Sequence, residues 1–152
     1  LYKKYFDPDL HDLALCSHGT RDCAYKEAEE CKRLGYDRKV IIDRQMIGYR
    51  LAGFSERHGL FSGHFFIRRN HSHALRDFCK IWADEILAHS KRNQLSLNYA
   101  MWRSGDKVRV SVIDWDTIFL DLREFEILMH SQHARGQWTK LSRYLLSFLN
   151  RI

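Results

Sequence analysis

The sequence predicts one α/β unit, and three observations favour that class. The chain has 152 residues, 45% of them hydrophobic and 13% aromatic, which is enough for one packed core. Short apolar runs alternate with longer segments whose apolar residues recur every three or four positions. No repeat, low-complexity tract or linker interrupts this alternation. We therefore expect residues 1–152 to form a single domain with a short mixed sheet and flanking helices.

The first elements are a strand and a helix. Leu13–Cys16 is a short apolar run, typical of a buried strand. A helix is expected from Arg21 to about Leu34, with Thr20 as its N-cap and Gly35 after its last turn. The charged residues of this helix are expected to point mostly outward: Glu27, Glu29, Glu30 and Lys32.

A second helix is predicted directly after the first. Asp37 is a suitable cap for its start, and Gly53 is expected to stop it. One stripe of this helix is expected to face the core: Val40, Ile41, Arg44, Ile47, Gly48 and Leu51.

The middle of the chain predicts a strand and then the most regular helix. The β-branched and aromatic residues that follow Gly63, up to Arg69, indicate a strand. Asn70 or Ser72 then caps a helix that runs to about His89. Its apolar residues follow the spacing of a buried face: Leu75, Phe78, Cys79, Trp82 and Ile86.

The segment Arg92–Arg103 is a predicted helix with an unusual number of polar side chains. Gln94, Asn98 and Arg103 share one face, while apolar residues fix the segment against a core. Neutral amides beside arginines suit a polyhydroxylated or phosphorylated ligand, although amides that only tie down neighbouring loops give the same pattern. Three further elements are expected: a strand at Val108–Ile113, a short strand at Phe125–Met129 and a terminal helix over Trp138–Ile152.

Charge and cysteine usage narrow the function classes. The formal charge of +6 and a pI near 9.3 favour anionic ligands such as phosphates, nucleotides, nucleic acid or membrane surfaces. The four cysteines lack Cys-x-x-Cys spacing, so free thiols and a reducing compartment are expected. There is no signal peptide and no apolar run long enough to span a bilayer. The chain does not begin with Met, which indicates a fragment or a processed chain.

Four ordered blocks of the sequence resemble one known family. They are His18–Ala28, Arg44–Phe54, Gly59–Asn70 and Arg92–Tyr99. The last block, Arg-Asn-Gln-Leu-Ser-Leu-Asn-Tyr, is similar to the Arg-Asp-Gln-Leu-Ser-Phe-Asn-Tyr motif of the glycosyltransferase-like family typified by plant TOD/MUCI proteins and bacterial polysaccharide-cluster members. The similarity covers about residues 13 to 130. Asn93 departs from the aspartate that the family usually has there, which puts a role for that carboxylate in doubt.

The resemblance implies a GT-A-like fold, a nucleotide-sugar donor, a glycan or polysaccharide-type acceptor, and a divalent metal, Mn²⁺ or Mg²⁺. Such enzymes place an Asp-x-Asp metal motif in a βαβ half upstream of the histidine and glutamate block. The chain is therefore expected to be the C-terminal, acceptor-side half of such a domain, or a truncated relative. Asp114–Asp116 follows the Arg92 block instead of preceding it, so we do not interpret it as that motif.

Candidate site residues follow from this resemblance and from the chemistry of transfer. A departing diphosphate needs cations or a metal, and the sugar needs polar neighbours. Gln94, beside the sugar, and Glu27, as a general base or acceptor-orienting carboxylate, are the predicted catalytic residues, and His130 is the predicted metal ligand, with His133 as its rival. The predicted substrate-binding residues are His18, Arg21, Arg68, Arg69, Arg92, Asn93 and Asn98.

Structural alternatives stay open for several of these residues. Gln94 and Asn98 are also suitable as scaffold amides, and the Arg68–Arg69 pair as a solvated strand end. A non-catalytic basic α/β module that binds a glycan or nucleic acid is the alternative function, with nucleic acid the less favoured partner. The expected compartment is the cytoplasm, with a peripheral membrane location also open, or the Golgi lumen for a plant-type parent protein.

Overall fold

The computed structural model describes residues 2–121, in which a three-stranded sheet has helices on both faces. The strands are β1 (Leu13–Ser17), β2 (Phe61–Arg68) and β3 (Val110–Ile113). The helices are α1 (Tyr2–Tyr5), α2 (Ala24–Leu34), α3 (Lys39–Leu51), α4 (His73–Ala88), α5 (Asn93–Ser104) and α6 (Trp115–Asp121). Two 3₁₀ turns cover Glu56–His58 and Gly105–Lys107. The predicted mixed α/β class with a short mixed sheet is confirmed.

The sheet has the order β2-β1-β3, with β1 at its centre. Strand β2 is antiparallel to β1 and pairs Arg68 with Leu13 and Phe61 with Ser17. Strand β3 is parallel to β1 and pairs Val110 with Leu13. The two ends of β1 therefore have different neighbours, since Ser17 meets the start of β2 and the end of β3.

Three groups of buried side chains hold these layers together. Leu13 and Leu15 of β1 pack with Leu75, Phe78 and Leu97 of α4 and α5 on one face of the sheet. On the other face, residues of β1 and β3 pack with the segment after α1 and with α6: Phe6, Ala14, Cys16, Ile113 and Ile118. The third group joins α2, α3 and α5 beside the sheet. Helix α5 contributes to two of the three groups, so its position is fixed from both sides.

Helix α2 begins later than predicted and buries a residue that was expected outside. It starts at Ala24 after Cys23, which makes no side-chain cap hydrogen bond. The predicted cap, Thr20, lies in a turn whose backbone N–H donates to His18. Glu27 is only 2% exposed, so its predicted outward orientation is wrong. The ion pair with Arg21 offsets part of the free-energy cost of removing this carboxylate from water.

Helix α3 faces the core with a different stripe from the predicted one. The buried residues are Ile42, Gln45, Met46 and Tyr49, while three of the predicted inward residues are more than half exposed: Val40, Ile47 and Leu51. Tyr49 stacks on Tyr99 with ring centroids 3.7 Å apart, and Gln45 donates to the Tyr49 hydroxyl. Aromatic area and a satisfied polar pair therefore outweigh the branched aliphatic residues on the outer face.

The remaining predictions have mixed outcomes. The cap at Ser72 is confirmed, because its hydroxyl accepts from Leu75 N–H at 3.3 Å. Asp37 does not cap α3, which follows Arg38 without a side-chain cap. Helix α6 was not foreseen. The predicted strand at Phe125–Met129 and helix at Trp138–Ile152 lie outside the described residues.

The four cysteines are free, as predicted, with Cys16, Cys23 and Cys31 buried and Cys79 half-buried. None of the helices between residues 2 and 121 has the length and hydropathy that a membrane span requires.

Candidate functional site

The candidate site lies at the edge of the sheet where β1 and β3 both end. The carboxyl ends of parallel strands meet at one edge, and ligands of open α/β sheets bind outside that edge. Here the edge continues into the loop His18–Cys23, which leads to the start of α2. Residues 18–22 and Lys26 line a shallow cleft of about 250 Å³.

A wide bulge in β2 shapes one wall of this site. Leu15 pairs with Phe66 and Cys16 pairs with Ser62, so three residues of β2 have no partner on β1. Bulges of this kind re-aim side chains and are common beside binding sites. Gly63 lies in the bulge, and a Cβ there would be 3.9 Å from Asn93 Oδ1. The bulge thus brings β2 close to the start of α5.

His18 is held as a neutral ring by the backbone of its own loop. The N–H groups of Thr20 and Arg21 donate to His18 Nδ1 at 3.2 and 3.1 Å. A neutral ring that accepts at Nδ1 carries its proton on Nε2. That nitrogen lies 4.0 Å from Glu27 Oε2 and 3.4 Å from Arg21 Nη2. Burial and then the charge of Arg21 lower the pKa of His18 below its ordinary value of 6.5.

Glu27 is a buried carboxylate at the centre of a cluster, which we call the Glu27 cluster: His18, Arg21, Glu27 and Arg92. Arg21 Nε donates to Glu27 Oε2 in a short charged hydrogen bond. On the other side the Cys31 thiol donates to Glu27 Oε1 at 3.4 Å. Burial raises the pKa of Cys31 to about 11, so this thiol keeps its proton at neutral pH.

Arg92 completes the cluster from the start of α5. Its Nη2 is 3.9 Å from Glu27 Oε1, and its guanidinium lies over the Tyr36 ring at 4.4 Å from the centroid. Arg92 Nε is buried and finds no acceptor within residues 2–121. A buried donor without an acceptor costs free energy unless a ligand satisfies it.

The charges of the Glu27 cluster do not balance. Arg21 and Arg92 carry two positive charges, Glu27 carries one negative charge, and His18 is neutral. The side chains of the two arginines are 29% and 34% exposed, so both remain accessible from solvent. The cluster therefore favours an anionic ligand, and a phosphate group matches the planar donor array of arginine.

The predicted amides hold the start of β2. Gln94 Nε2 donates to Phe61 O at 3.3 Å, and Asn98 Oδ1 accepts from Phe61 N–H at 2.9 Å. Asn98 Nδ2 donates to His58 O at 3.0 Å. Gln94 and Asn98 thus fix the strand that pairs with Ser17, next to the cluster. Asn93 is exposed, beside the bulge.

Two predicted binding residues lie elsewhere. Arg68 pairs with Leu13 at the opposite end of β1, and Arg69 donates to Pro8 O at 3.0 Å. The four-residue advance from Leu13 to Ser17 corresponds to about 13 Å of strand. The structure therefore does not bring Arg68 and Arg69 together with the Glu27 cluster.

The Glu27 cluster does not suit a divalent cation. No group of three potential ligands among histidine, cysteine, aspartate and glutamate occurs within residues 2–121. In the Glu27 cluster the carboxylate is already paired, and two arginines repel a cation. Asp114, in the Asp114–Asp116 segment after β3, accepts from Thr117 N–H at 3.1 Å at the start of α6. The predicted ligand His130 lies outside the described residues.

Several residues around the site were not predicted from sequence. Tyr36 follows the C-cap glycine of α2, and its N–H donates to Cys31 O in a Schellman motif that aims its ring at Arg92. Asp37 and Ser90 support the turn before Arg92. The glycine before Tyr36 signalled the motif, but no local pattern indicates which side chain the ring contacts.

Comparison with known protein families gave a match. The family described as TOD1/MUCI70, glycosyltransferase-like domain, matches residues 3–133, which is most of the chain. No curated protein and no solved structure matches this chain. The family match agrees with the resemblance of the four sequence blocks, three of which supply the Glu27 cluster and the bulge beside it. The chain belongs to the TOD1/MUCI70 family of glycosyltransferase-like domains.

Proposed function

We propose that this chain transfers a sugar from a nucleotide-sugar donor to a glycan acceptor, as part of a GT-A-like domain. The observation that carries the proposal is the convergence of Arg21 and Arg92 on one buried carboxylate at the carboxyl edge of β1. Their excess positive charge matches the diphosphate of such a donor. Family membership supports binding of a sugar donor and an acceptor in general.

In the proposed reaction the bond between the sugar C1 and the diphosphate oxygen breaks, and a bond from C1 to an acceptor hydroxyl oxygen forms. The leaving diphosphate gains negative charge, which Arg21 and Arg92 stabilise. Glu27 holds the two guanidinium groups in place, because its Oε2 accepts from Arg21 Nε and its Oε1 lies 3.9 Å from Arg92 Nη2. Gln94 is the candidate at the sugar, and the proton of the acceptor hydroxyl passes to solvent water.

A divalent metal, when bound, would also neutralise the diphosphate. His130, which lies outside the described residues, stays the metal ligand that the family resemblance predicts. The polysaccharide type of acceptor, and a cytoplasmic or Golgi location, belong to the same proposal and rest on the family resemblance.

The test is binding and turnover of UDP-sugars by the full chain, with and without Mn²⁺. We expect UDP and UDP-sugars to bind, and Arg92→Gln and Arg21→Gln to weaken that binding about 10- to 100-fold, as loss of a charged phosphate contact does. Arg33→Gln is the matched control, because Arg33 is an exposed arginine paired with Glu30 on the far part of α2.

Two results would overturn the proposal. One is the absence of donor binding and hydrolysis at any metal concentration; salt-sensitive RNA binding in the same protein would then favour the binding module. The other is a loss of UDP binding in Arg68→Gln as large as that in Arg92→Gln, which would place the donor at the opposite end of the sheet.

A further inference from the structure

Arg92 is supported by a segment that contains none of the predicted site residues. This segment, Tyr36–Asp37, joins α2 to α3. The Tyr36 ring lies over the Arg92 guanidinium, and the Glu27 carboxylate lies beside the same guanidinium. The flat cationic group therefore has an aromatic ring and a carboxylate as neighbours, which restricts its rotamers.

Asp37 fixes the backbone on which Arg92 stands. Its Oδ2 accepts from the Ser90 hydroxyl at 2.7 Å and from Lys91 N–H at 3.0 Å. The Ser90 hydroxyl in turn accepts from Arg92 N–H at 3.2 Å. One carboxylate thus orients three consecutive residues of the turn between α4 and α5.

A buried network of α3 supports the same turn. Gln45 is fully buried, and its Oε1 accepts from Ser90 N–H at 3.4 Å. Its Nε2 donates to the Tyr49 hydroxyl, which donates to Glu85 Oε2 at 2.9 Å on α4. Buried polar groups that are satisfied in this way make one arrangement of the turn much more stable than the others.

The support exceeds what a helix connection requires. The turn is short, and α4 and α5 already pack against each other. An arginine that only had to be solvated would need none of these contacts, and fixing its side chain costs conformational entropy. A rigid guanidinium is useful where it must meet a phosphate in one geometry.

We propose that Tyr36 and Asp37 are positioning residues that hold Arg92 in the orientation in which it binds the diphosphate of a nucleotide-sugar donor. This inference rests on the proposed function for the identity of the ligand. The fixed orientation itself is a property of the unliganded chain, and it is testable without a ligand.

The experiment compares Asp37→Ala and Tyr36→Leu with the wild-type chain by two measurements. The first is NMR relaxation of the Arg92 Nε–H group without ligand, with the resonance assigned from Arg92→Gln. We expect an ordered group in the wild-type chain and an order parameter below about 0.6, typical of flexible groups, in both variants. The second is the Kd for UDP by calorimetry, which we expect to rise about tenfold in Asp37→Ala and about fivefold in Tyr36→Leu.

Asp43→Ala is the matched control for charge. Asp43 is a half-exposed carboxylate on α3 that pairs with Lys32 at 2.6 Å, so its removal changes the net charge equally without touching the turn. A double-mutant cycle with Arg92→Gln separates positioning from general destabilisation. If Asp37 acts through Arg92, Asp37→Ala will weaken UDP binding no further in the Arg92→Gln background.

The outcomes separate this inference from the proposed function. An unchanged order parameter of Arg92 in both variants overturns the inference, whether or not UDP binds, and so does an additive cycle. Loss of order in the variants, together with no UDP binding by the wild-type chain, supports the positioning role and overturns the nucleotide-sugar proposal. Circular dichroism and thermal unfolding confirm that each variant is folded.

Discussion

Two buried carboxylates at opposite ends of β1 have opposite surroundings. Asp12, just before β1, accepts from the N–H, Nε and Nη2 of Arg109, and Arg109 Nη1 donates to Asp9 O at 2.8 Å. One arginine thus meets one carboxylate, and each of the contacting groups has a partner. Glu27, beyond the other end, meets two arginines, and Arg92 Nε lacks an acceptor within residues 2–121.

The difference shows how one type of ion pair serves structure in one place and binding in another. The Asp12–Arg109 pair joins the start of β1 to the segment before β3, and its one negative and one positive charge balance. The Glu27 cluster keeps an excess positive charge that is partly open to solvent. A charge-balanced pair of this kind stabilises the fold, whereas a cluster with excess positive charge favours the binding of an anion.

The largest expected effect is that of Glu27→Gln. This change leaves two guanidinium groups close together without their counter-charge, and breaking a buried pair from one side is strongly destabilising. We expect the free energy of unfolding to fall by about 3 kcal/mol in urea denaturation. UDP binding should weaken, because the two guanidinium groups lose the carboxylate that positions them. Glu29→Gln, at an exposed position of the same helix, is the control. Equal stability of the two variants would contradict a central role for Glu27.

Asp12→Asn is expected to lower stability by about 2 kcal/mol and to leave UDP binding unchanged, because Asp12 is at the other end of the sheet. Arg109 holds the pKa of Asp12 below its ordinary value of 3.8, so folding favours the charged form. Its contribution is present above pH 4 and is lost as the pH falls through the lowered pKa. The difference between the wild-type and Asp12→Asn unfolding energies should therefore shrink in acid. Weaker UDP binding in Asp12→Asn would contradict the purely structural role of Asp12 at its end of β1.

Gly19→Ala tests how tightly the loop of the site packs. A Cβ at residue 19 would lie 2.5 Å from Trp115 Cδ1, so the indole or α6 must shift. We expect a loss of about 1 kcal/mol in thermal unfolding. Gly63→Ala is the matched control, because its nearest contact would be an ordinary 3.9 Å. A similar loss in both variants would point to the backbone instead of the indole contact.

The smallest expected effect is the pH dependence that His18 contributes. Its pKa is lowered in the folded chain, so the unfolded chain binds the proton more readily. Stability should therefore decrease as the pH falls from 7 through 6.5 to the lowered pKa, and this part should be absent in His18→Asn. Asparagine keeps an acceptor for the two backbone N–H groups but does not titrate. Parallel stability curves for the two proteins between pH 7 and 5 would contradict the neutral state of His18.

Patterns with strong local causes were predictable from sequence. The apolar run of β1, the Ser72 cap of α4 and the Gly35 cap of α2 each follow from short-range chemistry, and the structure has all three. The site was predictable in part, since His18, Arg21 and Arg92 were named and do meet. The three residues were chosen together because of the family resemblance. No local pattern links them, because residue 92 is far from residues 18 and 21 in the sequence.

Long-range contacts decided the rest. The inward face of α3 was predicted from its aliphatic residues. The face that is buried in the structure is instead set by tertiary contacts such as the stacking of Tyr49 on Tyr99. Glu27 was predicted to point outward, but its burial is compensated by Arg21, six residues earlier, and by Arg92, which directly precedes a different helix. Periodicity describes one element at a time and contains no information about such partners.

The sequence by itself determined the α/β class, the number of residues available for a core, the positive charge and the family. Each of these depends on composition or on motifs that are local in the chain. Only the tertiary structure decided that Arg21 and Arg92 share one buried carboxylate and that Arg68 and Arg69 lie at the other end of the sheet. It did so because strand register and helix packing place residues in space, and both are set by contacts between segments distant in sequence.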